Sequence, residues 1–100
     1  MPLCSIVTVD NPTGSSAFST GNSFTVQWDH NSTLACSGWR VEEIKLQYYN
    51  GSTWSDTSTL WTGSHSVSGG GEGISVTLAN SYSNYGDAYR LKIKYNEAPF

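Results

Sequence analysis

The chain has 100 residues, enough for one domain in which two layers bury a face each and too few for a second. Charged residues are 13%, about half the usual share, while 16 Ser and 10 Thr fill 26 of the 100 positions, giving a polar, weakly charged surface like that of many extracellular modules. A net charge of −3 lacks the basic excess that phosphate backbones demand, and no run of 18 apolar residues could span a bilayer, so neither nucleic acid nor direct membrane insertion is expected.

The start, MPLCSIVTV, has neither the basic n-region nor the apolar h-region of a signal peptide. Residues 1–100 therefore read as one module excised from a larger protein. Ser5 to Asp10 predicts a first strand, stopped at Asn11-Pro12 because proline cannot donate to a ladder. Thr13 to Asn22 is a Gly/Ser/Thr-rich connection in which Phe18 is expected to plug the end of the core. In the second strand, Ser23 to Asp29, alternation puts Phe24, Val26 and Trp28 on one face and Thr25 and Gln27 on the other, which assigns Trp28 to the core.

His30 to Gly38 is a polar loop carrying Cys36. A third strand, Arg40 to Tyr49, points Ile44, Leu46 and Tyr48 one way and Glu43, Lys45, Gln47 and Tyr49 the other. Asn50-Gly51 then predicts a tight hairpin turn, since both residues tolerate positive φ. Thr53 to Thr62 returns as one strand or a broken pair, and Gly63 to Gly73, with three consecutive glycines at 69–71, reads as a mobile loop. Ile74, Val76 and Leu78 alternate as a further strand. Asn80 to Asp87 is a crossover with room for one helical turn, leading to Ala88 to Tyr95, where Tyr89, Leu91, Ile93 and Tyr95 face inward and Arg90, Lys92 and Lys94 face out.

Six or seven strands with no amphipathic helix predict an all-β fold, a two-sheet antiparallel sandwich of about seven strands. Cys4 and Cys36 could form a disulfide, remain two thiols in a reducing compartment, or contribute to a metal site. The first strand of such a sandwich begins at the end where the antiparallel second strand finishes, so both cysteines reach the same end and the bridge is favoured. Closing about 33 residues, it would stabilise by about 3 to 4 kcal/mol in the chain-entropy model and would imply an oxidising compartment.

No catalytic constellation is recognisable. Neither His30 nor His65 lies beside a nucleophile-elbow sequence, and both fall in predicted loops where exposure is expected. Glu42 and Glu43, adjacent on a strand, point to opposite faces and cannot act together on one glycosidic bond. Cys4, His30, Cys36 and His65 lack the short paired spacings of a zinc site. Asp10, Asp29, Asp56 and Asp87 could converge with loop carbonyls on a structural calcium ion, but there is no Asp-x-Asp-x-Asp-Gly loop, and loop aspartates are commonly turn formers. No enzyme activity and no cofactor is expected. Two glycosylation sequons, at Asn31 and Asn50, match the number of about two that this composition yields by chance.

The aromatic residues carry more information. Four Trp and six Tyr exceed what one core needs, and an indole or phenol left partly exposed suits stacking on a sugar ring or filling a partner's pocket. Trp39, Tyr49, Trp54 and Trp61 are the candidates, with Tyr49 and Trp54 flanking the hairpin turn; their pairing across it could equally be a stabilising contact without a ligand. All five basic residues lie in two segments, Arg40 with Lys45 and Arg90 with Lys92 and Lys94. Neighbouring strands would put Lys45, Arg90, Lys92 and Lys94 on one outer face with Gln47 and Tyr49, either as a site for an acidic partner or as a solvated face that discourages edge pairing.

The strand ending in Asn11-Pro12, the aromatic-x-x-Gly corner from Phe18 to Gly21, the strand ending in Trp28 and the late Tyr-Arg-x-x-Ile from Tyr89 to Ile93 together resemble a known pattern. It is that of the immunoglobulin-like module of fungal Ser/Thr-rich, GPI-anchored cell-wall proteins and of bacterial and archaeal surface proteins, with the fibronectin type III domain the next most similar. The resemblance implies an extracellular location at the cell surface or wall, and a role in glycan contact, cell-wall organisation or adhesion. It supplies no catalytic residue. Such modules close with one more strand, for which only Asn96 to Phe100 remain. The expected function is a non-catalytic extracellular module binding carbohydrate or cell-wall glycan, or else an adhesion or spacer module of a larger surface protein; the expected partners are a glycan, another surface protein, and flanking domains of the parent chain.

Overall fold

The computed structural model describes residues 3–12, 23–77 and 89–97. Within them lie six strands, β1 (Ile6–Asn11), β2 (Ser23–His30), β3 (Trp39–Tyr49), β4 (Trp54–Ser66), β5 (Ile74–Thr77) and β6 (Tyr89–Glu97), and a 3-10 turn at Val67–Gly69. They form two antiparallel three-stranded sheets, ordered β1-β2-β5 and β4-β3-β6. This is the all-β two-sheet antiparallel sandwich that the alternation predicts. Phe18, Leu78, the crossover from Asn80 to Asp87, Ala88 and residues 98–100 lie outside the described residues.

The core is built by alternation from both sheets. From β2 and β5 come Val26, Trp28, Ile74 and Val76, with Phe24 half-buried beside them; from β3 come Val41, Ile44 and Leu46. Val41 and Ile44 are three residues apart, which a regular strand would send to opposite faces. A bulge at Glu42 absorbs the extra residue, since Val41 pairs with Tyr95 and Glu43 with Lys94. Tyr95 also ties the sheets together, its phenol oxygen accepting the Ile6 N–H at 3.2 Å.

The glycine-rich segment is not a mobile loop. The fourth strand runs on to Ser66, and Val67 and Gly70 are buried against Trp28. The indole Nε1–H donates to the Val67 carbonyl at 2.9 Å, the Trp28 N–H donates to the Gly70 carbonyl at 3.3 Å, and His65 lies edge-on to the indole at 5.7 Å. His65 is therefore half-buried in β4 rather than exposed in a loop, and His30 closes β2, its ring 3.2 Å from the Thr33 hydroxyl. A Cβ on Gly70 would sit 2.5 Å from both the Trp28 indole nitrogen and its carbonyl oxygen. Only a residue without a side chain lets the backbone approach this closely.

The hairpin turn also departs from expectation. Of Asn50 and Gly51 only Gly51 has positive φ, at 101°, and the connection is four residues long. Asn50 acts through its side chain, whose Oδ1 accepts the N–H groups of Ser52 and Thr53 at 2.9 and 3.0 Å. Its short amide reaching the backbone two and three residues on is the usual reason for asparagine in a turn.

Cys4 and Cys36 form the disulfide, at the end of the sandwich where Ile6 pairs with His30. Asn31 reinforces it: its Nδ2 donates to the Leu3 carbonyl at 2.7 Å and its Oδ1 accepts the Ser5 N–H at 3.0 Å. A bridge of this kind belongs to oxidising compartments.

Two expectations follow for stability. Gly70→Ala should destabilise by about 1 to 3 kcal/mol, because backbone and indole must both yield, whereas Gly71→Ala, with open space at its Cβ, should be neutral or stabilise by up to about 1 kcal/mol; denaturant titration distinguishes them. Replacing Cys4 and Cys36 by Ser should remove about 3 to 4 kcal/mol and lower the thermal midpoint by about 15 °C or more, read by circular dichroism.

Candidate functional site

The outward face of the β4-β3-β6 sheet carries a connected set of large polar and aromatic side chains. Cross-strand register creates it: Tyr49 pairs with Trp54, Gln47 with Asp56 and with Arg90, and Lys45 with Lys92. Directly opposed residues share a face, so three strands contribute to one surface. The Tyr49 and Trp54 rings are 5.2 Å apart and inclined at 43°, and the Arg90 guanidinium lies 4.2 Å from the centre of the Trp54 ring, within the range of a cation–π contact.

Gln47 is the hub. Although it belongs to the outer face, it is only 7% exposed, with Asp56 and Arg90 at the opposed positions of the two neighbouring strands bonded to it. Its amide is fixed in one orientation, with Nε2 donating to Asp56 at 2.9 Å and Oε1 accepting Arg90 Nε–H at 2.8 Å. Asp56 also accepts from Lys45 Nζ at 3.3 Å, and Lys45 lies 3.8 Å from Glu43. The hydrogen bond from Gln47, then that from Lys45, and at longer range the charges of Lys45 and Lys92, hold the Asp56 carboxyl below the usual aspartate range, against a smaller opposing effect of desolvation.

Six of the eight predicted binding residues are thus gathered on this face: Lys45, Gln47, Tyr49, Trp54, Arg90 and Lys92. Trp39 and Trp61 are not among them. Trp61 pairs with Ile44, a fully buried residue, and packs half-buried against the core; Trp39 does the same beside Tyr95, at 6.2 Å between rings. A bulge opposite Ile44 and Lys45 makes Leu60 an extra residue of β4, so Leu60 and Trp61 both serve the inner side. Tyr48, expected inside, is 42% exposed at the strand end, stacked on Tyr89 at 5.3 Å.

Asp56 is the participant that sequence reasoning missed. It falls within the strand expected from Thr53 to Thr62 but reads there only as a calcium ligand or turn former, whereas a bulge at Thr57 sets it opposite Gln47. The available signal was an acidic residue two places after Trp54, in a strand returning antiparallel to Gln47. Among the described residues no group of three or more His, Cys, Asp or Glu side chains is placed to hold a metal ion. The face thus sets one indole, one phenol and one guanidinium beside an amide fixed by two hydrogen bonds.

Against family models, curated proteins and solved structures the chain gives no significant match. What stands is the class, an all-β two-sheet sandwich with a disulfide at one end.

The depressed Asp56 carboxyl carries a pH dependence. A folded-state pKa below that of the unfolded chain means that the stabilisation is complete above the unfolded value of about 3.9 and disappears as pH falls through the lowered folded value. Asp56→Asn should therefore lower the thermal midpoint near pH 6, and the gap from wild type should narrow over the range below about pH 4. A gap that stays constant across that range would contradict the carboxylate's role.

Proposed function

We propose that this chain is a non-catalytic extracellular module that binds carbohydrate, such as a cell-wall glycan, through the outward face of β4-β3-β6. The observation that carries this reading is the constellation Tyr49, Trp54, Gln47 and Arg90, an aromatic edge beside planar hydrogen-bonding groups held in register. Sugars present just such a pair of demands, C–H faces for an aromatic ring and hydroxyls for planar donors and acceptors. The disulfide and the Ser/Thr-rich composition support a place outside the cell, as does the resemblance to surface and cell-wall immunoglobulin-like modules.

The rival is an adhesion or spacer module with no small ligand of its own. It draws support from the same cluster, because Gln47 has both ends of its amide satisfied internally and Trp54 is already flanked by Tyr49 and Arg90. A face that completes itself can serve stability alone.

Affinity electrophoresis in gels containing soluble glycans separates the two. Wild type should be retarded by at least one glycan, and Trp54→Ala and Tyr49→Ala should each weaken that retardation about tenfold or more while circular dichroism shows both folded. Retardation undiminished in both variants, or absent for every glycan, leaves the spacer reading in possession.

A further inference from the structure

The charges on this face are unequally satisfied. Lys45 is neutralised by Asp56 at 3.3 Å and Glu43 at 3.8 Å, and Lys94 lies 4.0 Å from Glu42. Arg90 and Lys92 form no ion pair among the described residues. The Gln47 amide explains Arg90: it stands between guanidinium and carboxylate, giving Nε–H a neutral acceptor and keeping Asp56 for itself. Arg90 is therefore positioned by an amide and an indole, neither of which cancels its charge.

Lys92 shows the same imbalance differently. It pairs directly with Lys45 across the β3–β6 ladder, and like charges at opposed positions destabilise a sheet. Such a local conflict is retained where function requires it. Both Arg90 and Lys92 are exposed, and as residues two apart on one strand their bases are about 6.7 Å from each other on the same face. A carboxylate or sulfate lying between them would meet two cations, one of them a planar fork suited to two parallel hydrogen bonds.

We propose that this face takes an acidic saccharide, its anionic group held between Arg90 and Lys92 and its ring against the Tyr49–Trp54 edge. The inference rests on the carbohydrate reading and narrows it to uronic or sulfated sugars.

The test uses affinity electrophoresis with three soluble polymers: a polyuronate, the same polymer after reduction of its carboxyl groups to neutral sugar, and polyglutamate. Wild type should be retarded by the polyuronate, less so as salt rises, and several-fold less by the other two. Lys92→Gln, which removes no hydrogen bond among the described residues, and Arg90→Gln should each weaken polyuronate binding about tenfold, with the Lys92 variant keeping a thermal midpoint no lower than that of wild type because a like-charge pair with Lys45 is relieved. Equal retardation by the reduced polymer overturns the acidic class and leaves the carbohydrate reading standing. Equal retardation by polyglutamate overturns it in favour of an acidic protein surface. No retardation by either sugar polymer, together with none by any neutral glycan, removes both.

Discussion

The interaction on which the rest of the sandwich depends is the burial of Trp28 with its indole nitrogen satisfied. A tryptophan can be placed at the centre of a core only where its N–H finds an acceptor, because an unpaired buried donor costs about 1 to 3 kcal/mol. Here the acceptor is the Val67 carbonyl, delivered by a 3-10 turn from a different part of the chain. That requirement folds the Gly69-Gly70-Gly71 segment back over the indole, brings Val67 into the core and keeps β4 paired with β3 as far as Ser66, opposite Arg40. The two sheets thus meet at this side chain, with β2 supplying the ring and the 3-10 turn after β4 supplying its cover.

Bulges then decide which residues face out. A strand with strict period two cannot bury both Val41 and Ile44, nor can β4 place Leu60 and Trp61 together on the inner side. The irregularities at Glu42, Leu60 and Thr57 resolve this, and each resets the phase of its strand. Their combined effect is to align Gln47, Asp56 and Arg90 across three strands. The outward face is consequently a product of how the core is packed, even though none of its members belongs to that core.

The two sides of the β4-β3-β6 sheet carry different chemistry. Inward residues of β3 and β6 bind the two layers, and Tyr95 reaches across to the β1 backbone. Outward ones assemble a polar network that is internally bonded at Gln47 and, among the described residues, forms no ion pair at Arg90 or Lys92. The sandwich and its disulfide hold that outer face in register, which is the rigidity that the proposed binding role would use.

Alternation in Phe24-Thr25-Val26-Gln27-Trp28, in Ile74 to Val76 and in Tyr89 to Tyr95 was sufficient to determine the strands, the two-sheet class and the inward face of each, because period-two burial is a local property of the chain. The antiparallel order likewise placed Cys4 beside Cys36. Sequence could also nominate Tyr49 and Trp54, neighbours across a short turn. It could not tell that Trp39 and Trp61 pack half-buried against the core, that Gly70 of the triple glycine is packed against an indole, or that Gln47 is buried between Asp56 and Arg90. These depend on bulges and on long-range register, which pair residues far apart in the chain, and only the closed tertiary structure fixes such pairings.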